Sequence, residues 1–478
     1  MIAGIIIGSL LLALVAVVLI RTLLFVPPRI TRGEVSVENV DEDWVTENLS
    51  AMVKCRTISS FNREEEDDGE FLRFEEVLKE RFPKIHELCE FERVSDRSLL
   101  YRCKGENSDS PTVLMAHYDV VNVVSENWEK PPFDGIIEDG VLWGRGTIDT
   151  KGTLNGAMSA LEMLLRDGFK PKQDIYLAFS GNEEVNGGGA KSIIAIFKEK
   201  GINPALVLDE GGAVVSGVFP GVKRECAVIG IAEKGLINIE YSISGGGGHA
   251  SAPKPHTPVG KLSAACVKVE NHPLKFRLTP PTKKMFDTVC RYSTFVYRLI
   301  FSNLWLFAPV LNLIGKKSGG QINAVARTTV AFTMMQGSSG INVIPPVASI
   351  GSNSRILPGE TAEQTLEKIR KIINDKDIVI RDIGSHNPSR VSKTDCEAYE
   401  RIRESALDVW NDIIVSPYLM TACSDARHWS EISDRVYRFS PMRLSPQENA
   451  MVHGNNERLP KSSIAEVVKF YLRLIKRS

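Results

Sequence analysis

Several hydrophobic runs of this chain each end in a residue able to bind a metal or move a proton. His117 and Asp119 close the run Val113–Asp119, Val-Leu-Met-Ala-His-Tyr-Asp. Residues i and i+2 of a strand face the same side, so both leave a buried strand together at its C-terminal end. Open α/β sheets place their sites there. Further clauses follow: Trp143-Gly-Arg-Gly-Thr-Ile-Asp149-Thr-Lys-Gly152, Phe179-Ser-Gly-Asn-Glu183-Glu184, Leu206-Val-Leu-Asp209-Glu-Gly-Gly, and Val452-His453-Gly. Zinc takes His, Asp and Glu ligands, and catalytic sites keep a position open for water. Two zinc ions ~3.5–4 Å apart need a bridging carboxylate and further ligands for each. His117, Asp149, Glu184, Asp209 and His453 supply that inventory. Glu183, beside a ligand, is placed to take a proton from the attacking water, and Asp119 to set the His117 tautomer. Singly, each clause has a blander reading: a structural His-x-Asp, a solvated Glu-Glu, a Gly-Arg-Gly turn. Their joint order, each where a buried run ends, carries the argument.

The elements that must position these groups are legible in outline. The 478 residues suit two or three domains at ~150 residues each, and 43% hydrophobic with 24% charged residues is ordinary globular composition. A net charge of −1 gives no footprint for nucleic acid. The eight cysteines contain no CxxC pair and read as buried free thiols, with one or two disulfides open to a luminal chain. Ile2–Ile20 carries no charge before Arg21; at ~1.5 Å per residue it reaches just under the ~30 Å hydrocarbon core. Lacking a basic start and a clear cleavage signal, it reads as a signal anchor ahead of a signal peptide. Arg21, Arg29 and Arg32 would put the body in the cytosol by the positive-inside rule. Asn48-Leu-Ser is a sequon.

Between residues 42 and 232, strands alternate with helices: strands at Ser98–Lys104, Pro111–His117, Asp174–Ser180 and Ala205–Asp209, helices at Thr153–Arg166 and Ala190–Lys200. That pattern predicts an α/β unit around a largely parallel sheet. From 233 to 390 the texture changes. Leu236–Ser244 alternates like a half-buried antiparallel strand, and Thr328–Met335, Val347–Ile356 and helices Pro258–Glu270 and Thr361–Asn374 complete an inserted α+β domain. Residues 391–478 return to α/β texture, 22–41 form a linker, and 1–21 are the apolar segment.

The clauses resemble the zinc aminoacylase/carboxypeptidase family, which includes aminoacylases, glutamate carboxypeptidase and carboxypeptidase S. The resemblance rests on His117-Tyr-Asp119-Val, Gly144-Arg-Gly-Thr-Ile-Asp149-Thr-Lys, Glu183-Glu184, Asp209-Glu-Gly and His453, and covers essentially everything after residue 41. Glu233-Lys-Gly, His249-Ala-Ser-Ala-Pro, Ser302-Asn-Leu-Trp-Leu-Phe, Asn342-Val-Ile-Pro-Pro, Ser424-Asp-Ala-Arg-His and Tyr437-Arg-Phe-Ser-Pro point to the branch that handles fatty acyl groups joined to amino acids. The resemblance implies a di-zinc exopeptidase-like catalytic domain with an inserted lid and dimerisation domain. Asp149 would bridge two zinc ions, one held with His117 and Asp209, the other with Glu184 and His453. Glu183 would be the general base. His249 of the lid, often from a partner subunit, would stabilise the oxyanion, and Asn342 and Arg355 would grip the substrate.

Two positions depart from the family: Thr150 and Asn182 stand where Asp is common. The activity implied is cleavage, and reversible formation, of the amide bond between a long-chain acyl group and an amino acid with a free carboxylate. Its partners would be that small molecule, or a fatty acid and an amino acid, with a second copy of the chain and a membrane, but no nucleic acid. Two other readings stand: a zinc carboxypeptidase or dipeptidase, and a non-catalytic membrane-tethered binding protein. The resemblance places the chain in the secretory pathway, with a luminal or extracellular body on its anchor, or secreted if the segment is cleaved. The apolar stretch Phe286–Ile314 is open between lid core, a membrane-resting surface and the wall of an acyl channel.

Overall fold

Alternating strands and helices between residues 98 and 215 build the centre of a computed structural model that describes residues 1–28, 38–95 and 97–478. Arg29, Arg32 and part of the 22–41 linker lie outside the described residues. The central sheet runs, in spatial order, Glu90–Ser95, Ser98–Cys103, Gln173–Ser180, Asn107–His117, Leu206–Val215, Val436–Leu444, Cys226–Glu233, Ile414–Met420. Asn107–His117 pairs in parallel with both its neighbours, Leu206–Val215 with Val436–Leu444, and Cys226–Glu233 with Ile414–Met420. Antiparallel pairs at Glu90–Ser95 and Ser98–Cys103 close one edge. The expected mostly parallel sheet is present.

Register positions the site. His117 pairs with Ser180, and Leu114 with Leu208. Residues following Ser180 and Leu208 therefore emerge beside His117 at one end of the sheet. Behind it, helix Lys151–Arg166 is buried between the sheet and helix Lys461–Lys476. The two helices touch at Gly156, where a Cβ would lie 2.3 Å from a Val467 methyl, so any larger residue would push them apart. Asp41 starts the first helix of this unit, its carboxylate accepting the Asp43 and Trp44 N–H groups. Asn48 of the sequon is buried in that helix, which denies it to glycosylation. All eight cysteines are free thiols.

The second sheet is antiparallel throughout, in the order Thr329–Gln336, Val347–Ile356, Gly235–Ser244, Val379–His386. Helices Pro258–Asn271 and Ala362–Ile373 cover one face. Leu366, Ile369 and Ile373, at helical spacing, join Ile237, Ile239, Tyr241 and Ile350 in a core separate from that of the main sheet.

The apolar stretch does not belong to that lid core. It forms the helices Pro280–Val289, Phe295–Ser302, Leu304–Ser318 and Gly320–Ala326. Met285, Phe286, Val289, Phe301 and Val325 pack with Val222, Val228 and Ile414 along the edge of the central sheet. The N-terminal helix Ile2–Leu24 lies against this subassembly. Arg21 donates to the Ser302 carbonyl at 2.9 and 3.2 Å, and Asn303 Nδ2 donates to the Val18 carbonyl at 3.2 Å.

Candidate metal centre

One carboxylate stands between two imidazoles. Asp149 Oδ1 is 3.1 Å from His117 Nε2, and its Oδ2 is 3.1 Å from His453 Nε2. His453 Nε2 also lies 3.1 Å from Glu184 Oε2. His117, Asp149 and Glu184 can each offer one ligand atom to a common ion. His117 Nδ1 meets the Asp119 backbone carbonyl at 2.9 Å, which must accept, so the Nδ1 proton is fixed there and Nε2 faces the cluster.

Asp119 does more than orient that ring. Fully buried, its Oδ1 accepts the Glu183 N–H and its Oδ2 the Glu184 N–H, both at 3.1 Å, while Ser59 donates to Oδ2 at 2.6 Å. The loop carrying both glutamates is thus held from below by the residue two places after His117. Glu183 points into the same space: His117, Glu183 and Glu210 form a second group with ligand atoms close together. Burial pushes the Glu183 carboxyl well above the usual range, and the Asp425, Glu184 and Asp119 charges add to that against the opposing pull of His117.

On the strand Leu206–Val215 it is Glu210, next to the expected Asp209, whose carboxylate contacts His117. Glu210 Oε1 lies 3.5 Å from His117 Nε2. Asp209, its neighbour, is buried with Oδ2 accepting the Ala426 N–H at 2.8 Å. Successive strand residues point to opposite faces, so only one of the pair can aim straight at the imidazole. Burial, with Asp425 nearby, raises Asp209 to about 6. Asp425, also buried, accepts from Ser180 Oγ at 2.6 Å, and its other oxygen has no partner. Glu210 and Asp425 were missed from sequence, although each adjoins a quoted motif residue.

A buried clasp joins the Asp149 loop to the His453 loop. Glu457 Oε1 accepts the N–H groups of Ile148 and Asp149 at 2.6 and 3.1 Å; Oε2 accepts Gly146 N–H at 2.9 Å and Arg145 Nη1 at 2.8 Å. Arg145 Nη2 continues to the Gly454 carbonyl at 2.6 Å. Nothing in the residues around Glu457 signalled this role. The two departures sit beside the ligands: Thr150 is buried with its hydroxyl unpaired, and Asn182 Oδ1 accepts Gly189 N–H at 3.1 Å.

Among the described residues, the expected substrate residues make no hydrogen bond or ion pair to the cluster. His249 is exposed, its Nδ1 accepting Ser251 N–H at 3.1 Å. It pairs with Val343 in a two-stranded ribbon, where the Asn342 carbonyl accepts Ala250 N–H at 2.9 Å. His249 and Asn342 are therefore neighbours of each other on the lid. Arg355 is half-buried and donates to Asn353 Oδ1 and to Cys423 Sγ, both at 3.1 Å.

Asp119, Asp149, Glu183, Glu184, Asp209, Glu210 and Asp425 surround two histidines. Among the described residues, no lysine or arginine comes within ion-pair distance of these carboxylates. Unpaired buried charges cost several kcal/mol each, so the donor set fits cations of hard, oxygen- and imidazole-seeking character. Without metal, the histidines take that role. Asp149 and then Glu184 raise His453 to about 10; at His117 burial opposes, but Glu210, Asp119 and Asp149 outweigh it and raise it well above the ordinary value. Both imidazoles are then charged at pH 7, and metal ligation requires them neutral. Adding zinc to metal-free protein at pH 7 in weak buffer should therefore acidify the solution, as read by an indicator dye. Metal affinity should rise with pH up to about 10, where His453 loses its proton unaided. Zinc uptake with no proton release would contradict this charge assignment.

The model of peptidase family M20/M25/M40 matches residues 113–477. The chain is 34% identical to the probable carboxypeptidase S-like 2 of Dictyostelium discoideum, over 99% of this chain and 94% of that protein. It is 33% identical to the N-fatty-acyl-amino acid synthase/hydrolase PM20D1 of Xenopus tropicalis, over 98% and 93%. Among solved structures, the M20 family metallo-carboxypeptidase Sso-CP2 of Sulfolobus solfataricus superposes with a TM-score of 0.68 at 17% identity, over 91% of this chain and 99% of that one.

Proposed function

Because the chain belongs to peptidase family M20/M25/M40, and is thereby an amide-bond hydrolase, we propose that it cleaves, and in reverse forms, the amide between a long-chain acyl group and an amino acid bearing a free carboxylate. One observation carries the acyl half of this reading. A largely apolar cavity of about 330 Å³ is lined by Gly211 and Gly212, the residues after Glu210, and by Val228, Phe286, Phe301 and Val325. Its volume lies at the small end of ligand pockets, ~300–1,000 Å³. The name of the Xenopus relative points the same way. Trp305 does not line the cavity.

In this reading His117, Asp149, Glu184 and His453 would hold two zinc ions, with the Asp209–Glu210 pair completing the set on the His117 side. Bound there, the ions supply positive charge that acidifies water and polarises the scissile carbonyl. Glu183 takes the proton of the attacking water onto a carboxylate oxygen and passes it to the nitrogen of the leaving amine. Asp119, by gripping both Glu183 and Glu184 N–H groups, keeps base and ligand in fixed relation. Arg355 offers a planar fork to the free carboxylate. His249 and Asn342 come to the site from the lid of a partner subunit. Exposed Ile341, Val343 and Val347 beside their ribbon support a homodimer. Reversibility follows, since the same proton transfers run backwards when acid and amine are abundant.

The N-terminal helix is the membrane anchor of this enzyme, in the secretory pathway. Its 23 residues include only two buried ones, Val18 and Thr22, and both face the polar contacts to Ser302 and Asn303. A segment discarded as a signal peptide would leave those groups without partners.

The test compares N-oleoyl-phenylalanine, N-acetyl-phenylalanine and a hydrophobic dipeptide as substrates of zinc-loaded protein, with and without chelator. Chelator-sensitive cleavage of the oleoyl amide is expected. Ile322→Trp, placed to fill the cavity, should raise KM for the oleoyl substrate about tenfold, the worth of roughly two buried methylenes, and leave N-acetyl-phenylalanine unchanged. Cleavage of the dipeptide alone would return the function to peptide turnover, in line with the name of the Dictyostelium relative.

A further inference from the structure

We propose that the two helices Phe295–Ser302 and Leu304–Ser318 form a second membrane contact, lying in the interface of the bilayer that the N-terminal helix crosses; the proposal rests on that helix being an anchor. The pair is long and apolar enough to pass for a membrane span but is bent by 106° at Asn303. Phe295, Val296, Trp305, Val310, Leu313 and Ile314 are exposed. Leu306, Val310, Leu313 and Ile314 recur at helical spacing, so one face of the second helix is apolar and uncovered. Contiguous exposed apolar surface of this kind marks a binding surface.

The depth of that face follows from helix geometry. The N-terminal helix has 23 residues, roughly 35 Å at ~1.5 Å each, against a hydrocarbon core of ~30 Å. Asn303 and Ser302 grip it at Val18, Arg21 and Thr22. Val18 lies six residues from the helix end at Leu24, about 9 Å along the axis. The bend at Asn303 is therefore held at the boundary of headgroups and acyl chains, the ~5–10 Å layer in which interfacial helices rest. Charge agrees. Lys316 and Lys317 end the second helix. A groove of about 680 Å³ between it and the anchor is lined by Arg21, Lys283 and an Arg291 paired with Asp287, together with Leu304 and Trp305, which among the described residues leaves Arg21 and Lys283 as its cations without a carboxylate partner. Cations beside apolar residues suit anionic lipid headgroups. The occupant of this surface is a lipid bilayer.

Tryptophan emission reads the contact directly. Full-length protein is reconstituted into vesicles of phosphatidylcholine and phosphatidylglycerol brominated near the top of the acyl chains. Part of the emission should be quenched; Trp305→Phe should abolish that quenching, and the added change Val310→Trp should restore it. Absence of quenching in the wild type, or quenching that survives Trp305→Phe, overturns the proposal. Alkaline carbonate extraction separates the two readings. Protein released by alkali refutes the anchor and this contact with it. Protein retained but unquenched keeps the anchor and refutes the contact alone.

Discussion

Glu183→Gln lowers kcat by about 10²–10⁴-fold, the usual worth of a positioned general base, with metal content and KM unchanged. The substitution keeps shape and removes only the capacity to accept a proton. Its backbone stays anchored, because the N–H of residue 183 is held by Asp119 whatever the side chain. Burial among carboxylates raises the proton affinity of Glu183 in the metal-free chain, the direction that helps a carboxylate take a proton. Below its raised pKa the base is protonated and the rate should fall as pH drops. In Glu183→Gln that acid limb should vanish from the residual activity. Loss of an ion on substitution would instead make Glu183 a ligand.

Asp149→Asn should cost both ions. Among the described residues Asp149 is the one carboxylate that touches both histidines, so a neutral amide there weakens both halves at once. Activity should fall to background, and elemental analysis should find little zinc where wild type retains its full complement. The metal-free forms differ as well. With Asp149 ionised between two charged imidazoles, its neutralisation leaves His117 charged and fully buried. His117 keeps Glu210 and Asp119 as partners, so losing Asp149 weakens its pairing without abolishing it, and metal-free Asp149→Asn should melt below metal-free wild type. If the two melted together, the histidines would be neutral in the absence of metal, and the proton release expected on zinc binding would fail too.

The chemistry of the site was more legible than its supports. The clustered residues stand at the ends of apolar runs, where alternation and spacing mark strands, so that His117, Asp149, Glu184 and His453 come together was legible from type and position. Choosing between Asp209 and Glu210 needed side-chain direction at a strand end, which a two-residue period cannot fix once the strand continues through Gly211 and Gly212 to Val215. Glu457 was invisible because its work is on backbone N–H groups of residues 146–149, and no pattern in a sequence records which main-chain groups lack partners. The apolar stretch after Pro280 resisted for another reason. Packing inside and facing lipid demand the same residue types, and only its placement beside the N-terminal helix and the sheet edge separates Phe286 and Phe301 from Trp305 and Leu313.

The Arg145–Glu457 clasp also sets an order of events. A ribosome adds about 5–20 residues per second, so many seconds separate the appearance of Asp149 from that of His453 and Glu457. Until the final stretch arrives, the Ile148 and Asp149 amides have no Glu457 to bind, and helix Lys461–Lys476 is missing from the back of Lys151–Arg166. A nascent chain thus carries most of its acidic ligands with neither the closing histidine nor the brace that shapes their loop. Until that stretch has been made, the loops of Asp149 and His453 have no clasp between them.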